Sequence, residues 1–215
     1  AKNSSGVIGM YDTVRNEFYT NQGSGTFTAG PEIQTYTYLE YIGLTGTQYI
    51  DTGLYGDLNT EAEIDVHLNE TSDATGNRIF GNYTNTAKAI TINAANNAES
   101  NQRFGGALRA ANVYSSERSV YKTNKTNLTR NGVVLVTFNA TTPFTTEGTL
   151  LLGTTGTSTV GVIGKIYSAI IRENGNVIMH LVPAKNSSNI IGMYDTVNNV
   201  FYTNQGTGTF TAGPM

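Results

Sequence analysis

Residues Thr60–Leu68 (TEAEIDVHL) alternate without a break. Ala62, Ile64, Val66 and Leu68 fall on one face, and Glu61, Glu63, Asp65 and His67 on the other. A side-chain period of two is that of a β-strand with one buried face. The same reading predicts strands at 7–11, 17–20, 32–44, 46–54, 78–83, 89–93, 103–108, 119–121, 128–130, 133–139, 149–153, 161–171 and 177–182. Residues 12–16 and 21–25 read as turns, the second leading into 26–28 with Phe18 and Phe27 on inward positions. Asn131-Gly132 and the ENGN stretch at 173–176 carry the residues that tight hairpins demand. Residues 69–77 and 94–101 are polar and read as loops. No stretch holds a 3.6-residue period over a helical length, so the expectation is an all-β, two-sheet antiparallel sandwich with little or no helix.

The chain carries one stretch twice. Residues 1–31 and 184–214 agree at 26 of 31 positions, differing only at 6/189, 7/190, 15/198, 17/200 and 24/207. The offset of 183 residues is far longer than a solenoid or propeller repeat. The expectation is a slice of, or a unit from, a tandem array of whole domains. Residues 1–31 are then the C-terminal tail of a preceding repeat, and 32–215 one complete domain with 184–214 as its own tail. Two or three short strands cannot build a core alone, so the first copy needs a host sheet. Val7, Ile8, Met10, Tyr11, Phe18, Tyr19 and Phe27 are the residues expected to meet it. The exchange of Val200 for Glu17 is the one place where the copies trade an apolar residue for a charge, so that position is expected to face solvent or an interface in both.

Composition narrows the function classes. Apolar residues make up 38% and charged residues 13%, with 24 Gly and 13 Tyr, which suits strands and tight turns. The net charge of −3, with Lys and Arg scattered, offers no footprint for nucleic acid. No apolar run approaches 18 residues, so no membrane span is expected. The absence of cysteine removes disulfides, thiol catalysis and thiolate metal sites. Low charge with abundant Thr, Asn and Gly is common in bacterial surface proteins and phage fibres, which points to an extracellular, cell-surface or virion-associated setting.

The stretches YLEYIGLTGTQYIDTGL (38–54), LLLGT (150–154) and the block 164–210 beginning GKIYSAII resemble the concanavalin A-like, laminin-G-like jelly-roll modules of bacterial surface and phage-associated proteins. The resemblance covers most of 36–214 and implies a jelly-roll sandwich. It implies less about activity, because that family includes lectins, adhesion modules, glycanases and structural caps.

Several constellations could carry chemistry. Glu63-Ile64-Asp65-Val66-His67 resembles the Glu-x-Asp-x-Glu strand of jelly-roll glycanases, but His67 stands where the acid/base belongs, and retaining hydrolysis needs two carboxyl groups. The competing reading is an ordinary outer-face polar row. His67 and His180 are the only histidines, and a metal site would require distant strands to bring them together with carboxylates. Calcium is a candidate cofactor, since jelly rolls of this kind often bind it through loop oxygens; Asp51, Asp57, Asp73 and Glu70 are the donors on offer. Asp51, like Asp12 and Asp195, also reads as a turn former. Tyr55, Tyr83, Tyr114, Asn82, Asn96 and Asn97 are candidate glycan contacts from loops. Lys165 is a conceivable isopeptide partner in a surface fibre.

Three functions follow. The first is a non-catalytic repeat module of a fibre or adhesin that associates head to tail with other copies or adjacent repeats through the duplicated strands. The second is a lectin-like carbohydrate-binding module with glycans as partners. The third is a glycoside hydrolase-like jelly roll, which lacks a placeable second acid.

Overall fold

The computed structural model describes residues 1–28, 35–69, 77–95, 99–156 and 161–215. It divides into two compact units, Ala1–Thr35 and Tyr36–Met215. The described residues form nineteen strands and no helix.

The first unit is a hairpin of β1 (Met10–Asp12) and β2 (Glu17–Tyr19), paired Met10 to Tyr19, Tyr11 to Phe18 and Asp12 to Glu17. Its turn is fixed locally. Asp12 accepts from the backbone N–H of Val14 (2.9 Å) and Arg15 (3.1 Å), and Asn16 takes a positive φ of 60°. Residues 26–28 form no strand here, and Phe27, expected to point inward, is 45% exposed. Phe18 is half-buried.

The second unit is a β-sandwich. Its smaller sheet runs in the order β10 (Ala107–Ala111), β9 (Ser100–Gly105), β8 (Ala89–Ala94), β7 (Asn77–Asn82), β14 (Thr145–Leu152) and β5 (Ile50–Asp57). The larger sheet runs β13 (Val133–Thr137), β12 (Asn127–Arg130), β11 (Ser119–Thr123), β6 (Thr60–Leu68), β15 (Ile163–Glu173), β16 (Asn176–Asn186), β17 (Ile191–Asp195) and β18 (Val200–Thr203). Three short strands complete it. β3 (Tyr36–Tyr38) pairs with β16, β4 (Ile42–Thr45) with β15, and β19 (Thr211–Ala212) with β4. All pairings are antiparallel.

Both sheets contribute to one core. Ile64, Val66, Tyr121 and Ile166 from the larger sheet pack in a single apolar cluster with Phe80, Ile90, Ile92, Phe104 and Leu150 from the smaller. Each such side chain taken from water contributes about 1.5–3 kcal/mol, the main driving term for the sandwich. The polar tip that Tyr121 brings into this apolar cluster is satisfied. Tyr121 donates its hydroxyl to the Val113 carbonyl at 2.9 Å, and burial pushes that phenol up to about 12.

The pattern of β6 is as the alternation predicts, buried and half-buried by turns along its whole length. The hairpin turns at Asn131-Gly132 and Asn174-Gly175 have positive φ at both residues, the geometry whose twist matches the flanking strands. Elsewhere the structure departs from the sequence reading. The stretch 46–54 is a turn followed by β5, which starts at Ile50. The strand expected at 103–108 is two strands, β9 and β10, reversing at Gly105 (φ 57°). β9 already begins at Ser100, inside the stretch read as a polar loop.

Candidate functional site

The hairpin of the tail copy, 184–214, repeats the local geometry of the hairpin in the first unit. β17 and β18 pair Met193 to Tyr202, Tyr194 to Phe201 and Asp195 to Val200, the register of β1 and β2 shifted by 183. Asn186 accepts from Ser188 and Ile190 as Asn3 does from Ser5 and Val7. Tyr194 donates to Asn199 (2.8 Å), and Tyr11 to Asn16. Gly192 and Gly9 both lie against the facing backbone, where an added Cβ would sit 2.2 Å from the Tyr202 carbonyl oxygen or 2.3 Å from that of Tyr19.

What differs is burial. Met193 is fully buried, whereas Met10 is 70% exposed; Phe210 is 3% exposed against 45% for Phe27. In the second unit β17 lies along β16, and the remaining tail runs back over 40–49. Gln205 and Thr207 donate to the carbonyls of Tyr49 (2.9 Å) and Thr47 (3.2 Å), and Gly213 donates to Tyr41 (2.9 Å). Asn204 accepts from the Tyr49 N–H, and the Gln48 amide donates to the Thr209 carbonyl. Tyr36 stacks on Tyr194 and Phe201, with centroids 4.4 and 5.1 Å apart. Val7, Tyr11 and Tyr19 of the first copy are exposed, while Ile8 and Phe18 are half-buried. Glu17 and Val200 are both exposed, so the charge difference falls where solvent tolerates it.

The polar row of β6 is an ion-paired outer face. Glu63 meets Lys122 (2.8 Å) and Arg172 (3.4 Å), and Asp65 takes Arg118 in a two-pronged pair at 3.0 and 2.8 Å. Desolvation pushes the Glu63 carboxyl up, but hydrogen bonds and charge from Lys122 and Arg172 outweigh it and hold it below the ordinary range. That keeps Glu63 ionised, and the acid/base position of the same strand is held by His67. Arg118 also caps the Tyr167 ring at 3.7 Å, and the Lys165 ammonium lies 4.4 Å over Tyr41. His67 pairs with Lys165 and His180 with Ile170, so β15 separates the two histidines.

The calcium candidates close turns. Asp51 accepts from the Gly53 N–H (2.9 Å), and Asp57 from the Asn59 N–H (2.6 Å) and the Thr60 hydroxyl (3.4 Å). Asp73 and Glu70 lie outside the described residues, as do Asn96 and Asn97. Among the described residues no three His, Cys, Asp or Glu side chains gather where a metal ion could be held. Asp12 and Asp195 are turn formers as well, Asp195 fully buried and accepting from the N–H groups of His180 and Val197 and from the Asn198 amide.

The glycan candidates separate. Tyr55 is exposed but stands on β5 rather than a loop. Tyr114, expected exposed, is half-buried against the core, because the 111–115 segment runs over Tyr121 and Arg130. Asn82 is buried and structural, donating to the Thr149 carbonyl (3.1 Å). Tyr83 remains exposed, at the edge of a cleft of about 270 Å³ that also takes in Arg78, Asn93, Asn101 and Arg103. The two arginines and Asn93 were not singled out in the sequence, where they look like any polar residue on the outer side of a strand.

A scan against protein-family models finds no match to the chain, and searches of curated proteins and of solved structures find none either.

Proposed function

We propose that the chain is a non-catalytic repeat module of an extracellular or virion-associated fibre or adhesin, of the concanavalin-like jelly-roll kind. It joins other copies or adjacent repeats head to tail through the duplicated terminal strands. One observation carries this reading. Every tail position that the body buries, namely Ala184, Gly192, Met193, Asp195, Phe210 and Gly213, has the identical residue in the first copy, and all five differing positions are exposed in the tail. The first copy thus keeps every residue that a body buries, though Arg15 stands where Asn198 donates to the Ile178 carbonyl, and it leaves Met10 and Phe27 uncovered in its own unit.

Covering a methionine or phenylalanine contributes about 1.5–3 kcal/mol, so a body with an open groove is a strong sink for the first copy. A segment adding its strand to the edge of another sheet is a known route to assembly, with main-chain bonds for affinity and side-chain pockets for specificity. Contacts of this type are heterologous and propagate as filaments when they do not close. Because each body's groove is filled by 184–214, exchange requires that this tail be displaced or absent. In an array the covalently preceding body fills the role instead.

The test disables the tail within the full chain. Met193→Asp with Phe210→Asp frees the groove, and light scattering should then show concentration-dependent oligomers. Adding Met10→Asp and Phe27→Asp should return the chain to monomer. A synthetic 1–31 peptide should bind the tail-disabled chain and not the unaltered one. Monomers throughout, with no peptide binding, would sink the proposal.

A further inference from the structure

The smaller sheet turns one polar area away from the core. Arg78 and Asn93 are cross-strand partners on β7 and β8, and Thr91 and Arg103 on β8 and β9. Ile90, Ile92 and Phe104 occupy the opposite, buried face. The cleft over this area is lined by Arg78, Tyr83, Asn93, Ser100, Asn101 and Arg103, with Glu99 and Thr155 beside them.

Its arginines, like Arg109 and Arg130, differ from the ion-paired cations of the molecule. Lys88, Lys122, Arg118 and Arg172 all have carboxylate partners. Among the described residues neither Arg78 nor Arg103 has one. Arg103 is nevertheless held in place. It donates from Nη1 to the Thr86 carbonyl (3.1 Å) and lies 5.3 Å over the Tyr83 ring, while its Nε is buried with no hydrogen-bond partner. Asn93 is fixed by its own amide, which donates to the Asn101 carbonyl at 2.6 Å, and its Oδ1 is likewise buried and unpartnered. A buried polar atom without a partner is rare and costly in a folded chain. Two such atoms, on neighbouring strands lining one cleft, mark a place prepared for a polar guest. Tyr83 is anchored by its N–H to the Thr155 carbonyl (2.8 Å) and keeps its ring exposed.

We propose that this cleft binds a carboxylate-bearing monosaccharide unit, of the hexuronic acid type found in acidic polysaccharides. The cleft is of a size for one pyranose ring rather than an extended ligand. A guanidinium without a carboxylate partner matches a sugar carboxylate in two-pronged geometry. The neutral groups of Asn93, Ser100 and Asn101 suit ring hydroxyls. The exposed Tyr83 ring offers the flat apolar surface on which the C–H face of a sugar lies. Two arginines against Glu99 leave a single positive charge among these lining side chains, which favours a monoanion over a dianion such as phosphate. The site is independent of the terminal segments, so its failure would leave the assembly proposal untouched.

The experiment is a titration of the isotope-labelled full chain, read by amide chemical shifts, with sodium glucuronate, methyl glucoside, sodium acetate and inorganic phosphate. Glucuronate should give saturable shifts at Tyr83, Asn93 and Asn101. The other three should bind at least ~10-fold more weakly, since each lacks either the charge or the ring. Arg78→Gln should weaken glucuronate ~10-fold or more, and Tyr83→Ser should do the same if Arg78→Gln fails to fold. Absence of saturable shifts with glucuronate would overturn the proposal. So would equal binding of acetate, phosphate or the glucoside, or unchanged binding in a folded variant.

Discussion

The two copies of the duplicated segment are nearly the same sequence in two settings. Their hairpins share register, turn geometry and the close approach of Gly9 and Gly192 to the facing strand. Those are properties of the segment itself: Asx-type turns, an asparagine with positive φ, and a glycine where no Cβ fits. Burial is not such a property. Met193 and Phe210 are covered because β16, β4 and residues 40–49 are beside them; Met10 and Phe27, with the same neighbours in sequence, are not. Local sequence therefore sets the shape of this segment, and its host sets how much that shape stabilises.

The comparison is sharpest where the two copies should respond differently. Met193→Ala should lower the unfolding free energy of the second unit by about 2–5 kcal/mol, while Met10→Ala should change it by less than about 0.5 kcal/mol. Urea unfolding of both variants reads this directly, and equal losses would show that the first copy is as buried as the tail. Asp195→Ala leaves the His180 and Val197 N–H groups without their acceptor and should cost about 1–3 kcal/mol. Asp12→Ala removes a comparable turn bond in an exposed hairpin and should cost no more than about 1 kcal/mol, visible as fraying in amide exchange.

A smaller effect separates the units by pH. The Glu63 carboxyl has a lowered folded-state pKa, so its contribution is present above the unfolded value and lost as pH falls through the folded one. Glu63→Gln should flatten the acid limb of the second unit's stability curve and leave the first hairpin's amide exchange unchanged. The smallest effect is expected from rewriting the tail as the first copy at 189, 190, 200 and 207, leaving Asn198 with its bonds to Ile178 and Asp195. Each is exposed, so the change in stability should stay within about 0.5 kcal/mol per site. A loss of several kcal/mol would mean that the first copy no longer fits a body, and the assembly proposal would fall with it.

Much of the fold is legible in the chain because burial leaves a period. Thr60–Leu68 alternates since one face of β6 lies on the core, and Asn131-Gly132 and Asn174-Gly175 announce their hairpins by the backbone angles that only such residues take easily. The reversal at Gly105 is missed because Gly105, Gly106 and Ala107 give no contrast between faces. Phe27 is misplaced for a different reason. Its pattern is that of Phe210, and no pattern can say whether a host is present. The cleft is the least legible feature. Arg78, Asn93 and Arg103 come from three strands, and their juxtaposition depends on the register of β7, β8 and β9 rather than on any spacing along the chain.

The bond between the Glu40 N–H and the Pro214 carbonyl, 2.7 Å long, has a mechanical consequence. It closes the antiparallel run that continues through Gly213 to Tyr41, Thr207 to Thr47 and Gln205 to Tyr49. Pro214 therefore lies beside Glu40, while Tyr36–Tyr38 continue along β16. A pull on Met215 loads this run one bond at a time, from the end, whereas a pull on Tyr36 first loads β3 against β16. The closing strands would then yield at low force while the sandwich stays intact, and in the proposed assembly tension would itself open the groove.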